Sequence, residues 1–297
     1  MALVRPPGHH AMRDESCGYC LVNNVALCAR RAQDHGMGRV LILDWDVHHG
    51  QVLSQMTLTF PQGTQREFYE DSGVLYISIH RCNKQKTPPA CFRYEQGFWW
   101  PNLQESNFDH IGSGRGSGYN CNIPLNKVGN TDADYLAAWH SVVLPLATEF
   151  RPELVLVSAG YDPALGCPEG EQRVSPALFA HMVNSLGSLA GGKVVALLEG
   201  GYFLPSLAEG AALTLRQLLG APCPSLPPLT EVSPEMEAAI LGAQTCLAPY
   251  WQCFAHRRGQ PLPESRLAIF HEGVQVGGPG GAGDPSLRHH EPDSPPA

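Results

Sequence analysis

The sequence predicts an open α/β fold with a central, mostly parallel sheet that is flanked by helices. Short apolar runs without polar alternation occupy residues 40–43, 154–157 and 194–198. Such runs are typical of strands buried in a parallel sheet. Side chains that can titrate or bind a metal follow each run, and chemistry in open α/β sheets collects beyond the carboxyl ends of the strands.

Strands and helices alternate along the rest of the chain. Further strands are predicted over residues 2–4, 74–80 and 119–125. Helices are predicted over residues 20–35, 132–150, 178–189, 204–219 and 235–254. Thr131 and Asp132 offer oxygens that can cap the second helix, and glycines close the third and the fourth. Residues from about 272 onward lack apolar periodicity, which predicts disorder.

Length and composition describe a globular chain. Its 297 residues fit one large α/β domain or two small ones. The net charge of −8 argues against direct nucleic-acid binding and is compatible with a basic substrate such as a lysine-rich tail or a polyamine. From the apolar stretches and the N-terminal residues we expect neither a membrane span nor a signal peptide. Ten cysteines without framework spacing lead us to expect reduced thiols in the cytoplasm or nucleus.

Asp46 and His48 form a D-x-H pair where the strand over residues 40–43 ends. Alternate residues of an extended segment face the same side, so both side chains can reach one ion, and both suit Zn²⁺. For an isolated pair, two polar residues that cap the next helix are an equally good explanation. Here Asp44 and His49 stand in the same short segment, and such a crowd of buried groups would be costly without a cation. The sequence therefore favours a metal site.

Asp162 follows the strand over residues 154–157. Alone it could cap a loop. As a third ligand it completes an Asp-His-Asp set and leaves coordination positions for water and a substrate oxygen, as catalytic zinc requires. We therefore predict a hydrolytic zinc centre.

Two further motifs supply groups for proton transfer and charge stabilisation. His9 and His10 follow a rigid Pro-Pro-Gly turn, and one imidazole beside a metal could take a proton from water and return it to a leaving amine. Asp44 and Gln51 are candidates to orient these rings. Tyr202 follows two glycines, so its hydroxyl could reach a developing oxyanion. A surface His pair without function and a half-buried Tyr in a turn are the alternatives.

Five motifs together resemble the zinc-dependent histone deacetylase family. The motifs are Arg5-Pro6-Pro7-Gly8-His9-His10-Ala11, Cys17-Gly18-Tyr19-Cys20, residues 44–50, Ser158-Ala159-Gly160-Tyr161-Asp162 and Leu198-Glu199-Gly200-Gly201-Tyr202. Their order and spacing match as well, from residue 2 to about residue 255. Within the family the chain is most similar to the class IIb enzymes, which include a cytoplasmic tubulin deacetylase and a polyamine deacetylase.

The resemblance implies an arginase-like fold and hydrolysis of the acetyl amide of acetyl-lysine in histones, tubulin or other proteins. It implies that Asp46, His48 and Asp162 hold the catalytic Zn²⁺. His10 would be the general base and acid, His9 its electrostatic partner, and Tyr202 would polarise the acetyl carbonyl. The substrate channel would comprise the Gly18 carbonyl and the aromatic walls Tyr19 and Trp100. Structural K⁺ would bind the carbonyls of Asp44, Asp46, His48 and Ile79 and the Ser78 hydroxyl.

The chain also departs from the family pattern. Residues 1–256 are expected to form a partial catalytic domain, because about the first third of the family's domain is missing, and residues 257–297 a tail. Residues 52–62 and 82–93 are extra relative to the pattern. We therefore expect this chain to be much less active than a complete domain.

Two other functions stay open. Glu169 lies seven residues after Asp162, where polyamine deacetylases carry an acidic residue that faces a cationic substrate. A solvated loop acid explains Glu169 about as well, and some tubulin-deacetylase-like sequences carry an acid there. A catalytically weak domain that binds acetylated tails is the second alternative. We favour a protein substrate, because the resemblance covers nearly the whole chain whereas Glu169 is a single residue.

Overall fold

The computed structural model describes residues 1–13, 15–50, 63–82 and 104–262. Five strands form one sheet in the order β3-β2-β1-β4-β5, and every neighbouring pair is parallel. The strands are β1 (Val40–Asp44), β2 (Val74–Arg81), β3 (Asn120–Leu125), β4 (Leu154–Ala159) and β5 (Val194–Leu198). The predicted α/β fold with a central parallel sheet is confirmed.

Seven α-helices occur in the described residues. They are α1 (Asn24–Asp34), α2 (Thr64–Glu67), α3 (Asp132–Ala138), α4 (Leu144–Phe150), α5 (Pro176–Leu186), α6 (Leu204–Leu218) and α7 (Pro234–Leu247). The helix α1 packs on the sheet through Val25 and Ala29, which join a core cluster with Val40, Ile42 and Val74. Strand side chains are therefore covered by apolar groups, which explains why β1 and β2 are buried along their whole lengths.

The helix α1 begins later than its predicted start at residue 20. Cys17 and Cys20 instead pair across a tight hairpin, in which each backbone N–H donates to the other residue's carbonyl. Asn23 then caps the helix, because its side-chain oxygen accepts from the Ala26 N–H at 3.0 Å.

The helix predicted over residues 132–150 has a wider turn in its middle. Residues 139–143 are π-helical and separate α3 from α4. Pro145 has no N–H, so it cannot donate to the Ser141 carbonyl as a regular helix requires. That carbonyl accepts instead from Gln244 Nε2 of α7 at 2.8 Å. The proline therefore accounts for the interruption, and α7 satisfies the acceptor that it releases.

The predicted strand over residues 2–4 is wrong. Ala2 makes a single parallel bridge to Leu197, with its N–H donating to the Ala196 carbonyl at 2.8 Å. Leu3 is 62% exposed, and Pro6 and Pro7 follow without an N–H for a ladder. The segment therefore pairs with the edge strand β5 only through the bridge of Ala2 and does not form a strand.

The strand order places the ends of β1 and β4 side by side. The chain runs from β1 outward through β2 to β3 and then returns to the other side of β1 as β4 and β5. The crevice at such a reversal is where open α/β sheets bind ligands. The segments that follow β1 and β4 therefore meet at one place.

Residues Met1–Pro261 form one compact unit. Among the helices of the described residues, none has the length and apolar character that crossing a membrane requires. The predicted disorder from about residue 272 lies outside the described residues, as do residues 52–62 and nearly all of 82–93. The predicted domain boundary at residue 256 stays a prediction.

We expect Ile42→Ala to lower the free energy of unfolding by about 2–5 kcal/mol, because it leaves a cavity in the central strand. Ile42 is fully buried, whereas Leu27 on α1 is 58% exposed. Leu27→Ala should change the free energy of unfolding by no more than about 0.5 kcal/mol. Urea denaturation of both variants measures the difference, and equal losses would contradict the described core.

Candidate metal centre

Three buried side chains converge beyond the ends of β1 and β4. One ligand atom each from Asp46, His48 and Asp162 lies within 4.8 Å of the other two. His48 Nδ1 lies 3.1 Å from Asp46 Oδ1 and 3.1 Å from Asp162 Oδ2. The structure thus brings together the three residues that the sequence predicts as metal ligands.

Backbone N–H groups fix the two carboxylates. The Val47 N–H donates to Asp162 Oδ1 at 2.8 Å, and the Gly200 N–H donates to Asp46 Oδ2 at 2.7 Å. The His48 N–H donates to Asp46 Oδ1 at 2.9 Å. Such outer contacts orient metal ligands and hold their geometry.

Glycines allow the backbone to approach these carboxylates closely. A Cβ atom on Gly160 would lie 2.2 Å from Asp46 Oδ2. A Cβ atom on Gly200 would lie 2.5 Å from Asp162 Oδ2 and 2.6 Å from Asp46 Oδ2. Any larger residue at either position would therefore have to displace a carboxylate.

The chemistry of the group fits a divalent cation. Asp46 and Asp162 are fully buried carboxylates that face each other. Burial, followed by the charge of Asp46, raises the pKa of Asp162. Two buried anions in contact are costly without a compensating positive charge. Two carboxylate oxygens and one imidazole nitrogen are a suitable ligand set for Zn²⁺.

The His9-His10 segment is tied to this centre by Glu199. The N–H groups of Gly8 and His9 donate to Glu199 Oε2 at 2.6 and 3.1 Å. His9 Nδ1 lies 2.9 Å from Asp44 Oδ2, and His9 Nε2 lies 3.7 Å from Asp46 Oδ1. The rings of His9 and His10 are 3.9 Å apart.

The two neighbouring histidines differ in pKa. Burial acts to lower the pKa of His9, but the carboxylates of Asp44, Asp46 and Glu199 raise it well above its usual value. Burial, together with the nearby His9 and His48, lowers the pKa of His10 well below its usual value. These shifts favour the protonated form of His9 and the neutral form of His10.

Tyr202 also lies close to His48. The ring centroids of His48 and Tyr202 are 6.4 Å apart, and those of His10 and His48 are 6.0 Å apart. Burial, followed by the charges of Asp162 and Asp46, raises the pKa of Tyr202. The phenol therefore keeps its proton and can act as a hydrogen-bond donor.

The structure describes three of the predicted channel residues. Gly18 and Tyr19 form the turn of the Cys17–Cys20 hairpin with φ of 54° and 64°, and Tyr19 is 68% exposed. Glu169 is partly buried on the loop that follows β4, close enough to Tyr202 for its charge to contribute to the raised pKa of the phenol. Trp100 and Gln51 lie outside the described residues.

The predicted K⁺ site stays a prediction. Asp44 and Ser78 are partners in the register of β1 and β2. The Ser78 hydroxyl lies 2.8 Å from His80 Nδ1. Ile79 follows in β2, fully buried.

Two structural roles were missed at the sequence level. The sequence identifies Glu199 only as part of a motif, yet its carboxylate accepts hydrogen bonds that hold the His9-His10 segment. His49 Nε2 lies 2.9 Å from Gln65 Oε1 and 3.1 Å from Asn122 Oδ1, which links the centre to α2 and β3. The role of Glu199 has a signal in the sequence, because an acidic residue directly follows the apolar strand β5.

Comparisons with known proteins agree on one family. The histone deacetylase domain model matches residues 1–218. The chain is 45% identical over 275 residues to polyamine deacetylase HDAC10 of Homo sapiens, which is 92% of this chain and 38% of that protein. It is 44% identical to histone deacetylase 6 of Caenorhabditis elegans over 85% of this chain and 24% of that protein. The chain therefore spans well under half the length of these curated relatives.

A solved structure supports the same conclusion. The HD domain of HDA15 superposes with a TM-score of 0.71 and 38% identity. The match covers 86% of this chain and 63% of that chain.

We expect Gly200→Ala to lower zinc affinity by about 10- to 100-fold, because the added methyl group displaces the carboxylates of Asp46 and Asp162. Competition with a colorimetric chelator measures the affinity. Gly38→Ala is the matched control, since its Cβ would meet Glu153 Oε2 at an ordinary 3.5 Å, before β1 begins. Equal affinities for the two variants would show that the close approach does not matter.

Proposed function

Because this chain belongs to the histone deacetylase family, we propose that it hydrolyses the acetyl amide of an acetylated amine at the centre formed by Asp46, His48 and Asp162. The convergence of these three ligand atoms carries the proposal. The rings of His10 and Tyr202 lie near the ring of His48, and these two residues complete the proposed site.

Asp46, His48 and Asp162 would hold the Zn²⁺ ion. When bound, Zn²⁺ supplies Lewis-acid chemistry, which makes an acyl carbonyl more electrophilic and water more nucleophilic. The amides of Val47 and Gly200 keep the two carboxylates in place during the reaction.

His10 is the proposed proton carrier. Because it is neutral, it has a lone pair to take a proton from the attacking water, and it returns the proton to the nitrogen of the leaving amine. The neighbouring cation His9 is held by Asp44 and opposes a second positive charge on His10. That repulsion favours prompt release of the proton to the amine.

Tyr202 is the proposed donor to the oxyanion. Its protonated hydroxyl can donate to the oxygen that gains charge when the acetyl carbonyl is attacked. Gly200 and Gly201 precede it, and Tyr202 remains 37% exposed. The Gly18 carbonyl is proposed to accept the substrate N–H, with Tyr19 and Trp100 as channel walls.

Acetyl-lysine in a protein is the first candidate substrate. The exposed Tyr19 and the half-exposed Tyr202 leave the rim of the centre accessible to a side chain that a folded partner presents. The relatives include proteins named histone deacetylases from worm and yeasts. The described cysteines are free thiols, which supports our proposal of a reducing compartment, the cytoplasm or nucleus.

An acetylpolyamine is the second candidate, and Glu169 is the observation that favours it. A partly buried carboxylate near Tyr202 is suited to a cationic chain that extends from the acetyl group. The relatives named polyamine deacetylases, at 43–48% identity, also support this candidate.

Two substitutions should separate metal binding from proton transfer. We expect His10→Ala to lower kcat by about 10²–10⁴ through loss of the base. Tyr202→Phe should lower kcat by about 10²–10³ through loss of the oxyanion donor. Turnover of an acetyl-lysine peptide and of acetylspermidine, measured together with zinc content, tests both.

The control for this prediction is Asp162→Asn, which should lose zinc and turnover together. Normal turnover by either the His10 or the Tyr202 variant would contradict the mechanism. A zinc-loaded wild-type chain that hydrolyses neither substrate would contradict the proposed function and favour a binding domain.

Wild-type chain should have a higher kcat/KM for the peptide than for acetylspermidine, and Glu169→Leu should increase that preference. The loss of a charge-assisted contact corresponds to about 10- to 100-fold in kcat/KM for acetylspermidine. Parallel kinetics on both substrates measure the ratio. A wild-type preference for acetylspermidine would support the second candidate, and an unchanged ratio would remove Glu169 from substrate recognition.

A further inference from the structure

A buried arginine supports the loop that carries Glu169. Arg81 ends β2, and its Nη1 donates to the carbonyl oxygens of Glu169 and Gly170 at 3.3 Å each. We call residues 163–172 the rim loop. The side chain of Arg81 is 2% exposed, so its charge sits at the base of this loop rather than in solvent.

The rim loop also rests on a metal ligand. A Cβ atom on Gly170 would lie 2.1 Å from the backbone oxygen of Asp162. The Gly170 carbonyl accepts a second hydrogen bond, from Gln172 Nε2 at 3.1 Å. Gln172 Oε1 in turn accepts from the Asn130 N–H at 2.9 Å. The position of Glu169 is thus fixed relative to the metal centre.

Glu171 supplies the countercharge to Arg81. Its Oε1 lies 2.9 Å from Arg81 Nη1, and its side chain is 49% exposed. Glu171 has a left-handed backbone with φ of 51°, which is unfavourable for a residue other than glycine. The Gly129 N–H donates to the Glu171 carbonyl at 2.8 Å and helps to hold this conformation.

Arg81 interacts differently with the two glutamates of the rim loop. Glu171 contacts Arg81 directly, whereas Glu169 contacts it through its backbone oxygen. The Glu169 carboxylate is near enough to interact with both the Arg81 charge and the Tyr202 hydroxyl. Because Glu171 pairs with Arg81, the three residues Arg81, Glu169 and Glu171 together keep one net negative charge, on Glu169.

We propose that Glu171 is a positioning residue for specificity: by pairing with Arg81 it leaves the Glu169 carboxylate available to a cationic group of the substrate. The proposal rests on the proposed function, because it assigns the charge preference of that same site. Without Glu171, the Arg81 charge would act more strongly on Glu169, which is a described carboxylate near enough to interact with it. The rim would then lose its attraction for a cation although Glu169 itself is unchanged.

Binding of two non-hydrolysable probes tests the proposal. One is a methyl ketone of acetyl-lysine side-chain length that ends in an ammonium group, and the other is its neutral isostere that ends in a methyl group. Calorimetry on the zinc-loaded chain gives the ratio of their Kd values, which we call the cation preference. We expect Glu171→Gln to lower this preference by about three- to tenfold. Glutamine retains the acceptor oxygen, and the half-exposed site tolerates the change.

A double-mutant cycle separates this effect from the plain loss of one surface charge. Glu169→Gln should remove the cation preference, and Glu171→Gln should cause no further change in that background. Glu153→Gln is the control, because Glu153 precedes the first residue of β4, whereas Asp162 follows its last residue, so Glu153 lies at the other end of the strand from the centre. It should leave the preference unchanged.

Two results would overturn the proposal. One is an unchanged preference in Glu171→Gln, and the other is an equal fall with and without Glu169. Because the probes are bound and not hydrolysed, a failure of the proposed function can be distinguished from a failure of the proposal for Glu171. In that case the zinc-loaded chain would bind the probes with the expected cation preference but release no acetate from acetylated substrates.

Discussion

The fully buried carboxylates of Asp46 and Asp162 face each other at the point where the strand order reverses, and the rest of the site follows from this constraint. Two such anions are tolerable in a protein interior only with donors and a cation around them. Backbone amides from Val47 and Gly200 supply donors, and glycines give the backbone room to reach. The imidazole of His48 adds a third atom that could bind this cation, within 4.8 Å of the two carboxylates.

Around the centre, the environment of a side chain decides the direction of its pKa shift, so residues of the same type can differ. His9 and His10 are neighbours with the same side chain, yet nearby carboxylates raise the pKa of His9, whereas burial and the neighbouring histidines lower that of His10. Pairs of titratable groups whose pKa values are pushed apart in this way are the usual basis of acid–base catalysis. The two glutamates of the rim loop also differ through their surroundings. Glu171 forms an ion pair with Arg81, whereas Glu169 contacts Arg81 only through its backbone oxygen.

The strands of the sheet, their parallel pairing and the convergence of Asp46, His48 and Asp162 could be predicted from the sequence, because each depends on a local pattern: an apolar run followed by side chains that can bind a metal. The role of Glu199 could not, because it joins residues 191 positions apart and depends on which strands are neighbours. The π-helical turn before Pro145 has a local cause, the proline itself. The hydrogen bond from Gln244 to the Ser141 carbonyl that the proline leaves without a helical donor is a tertiary contact and could not be predicted. The segment over residues 2–4 has a strand-like composition, yet two prolines limit it to a bridge.

The pairing of β1 with β4 has a consequence for folding. Val40 is in register with Leu154, so the two halves of the metal centre lie more than a hundred residues apart in the chain and meet when these strands pair. Non-local parallel pairing forms slowly, since the entropy of closing the intervening loop is lost before contacts compensate it. Asp46 and His48 on one side and Asp162 on the other therefore come together only where β1 and β4 have paired.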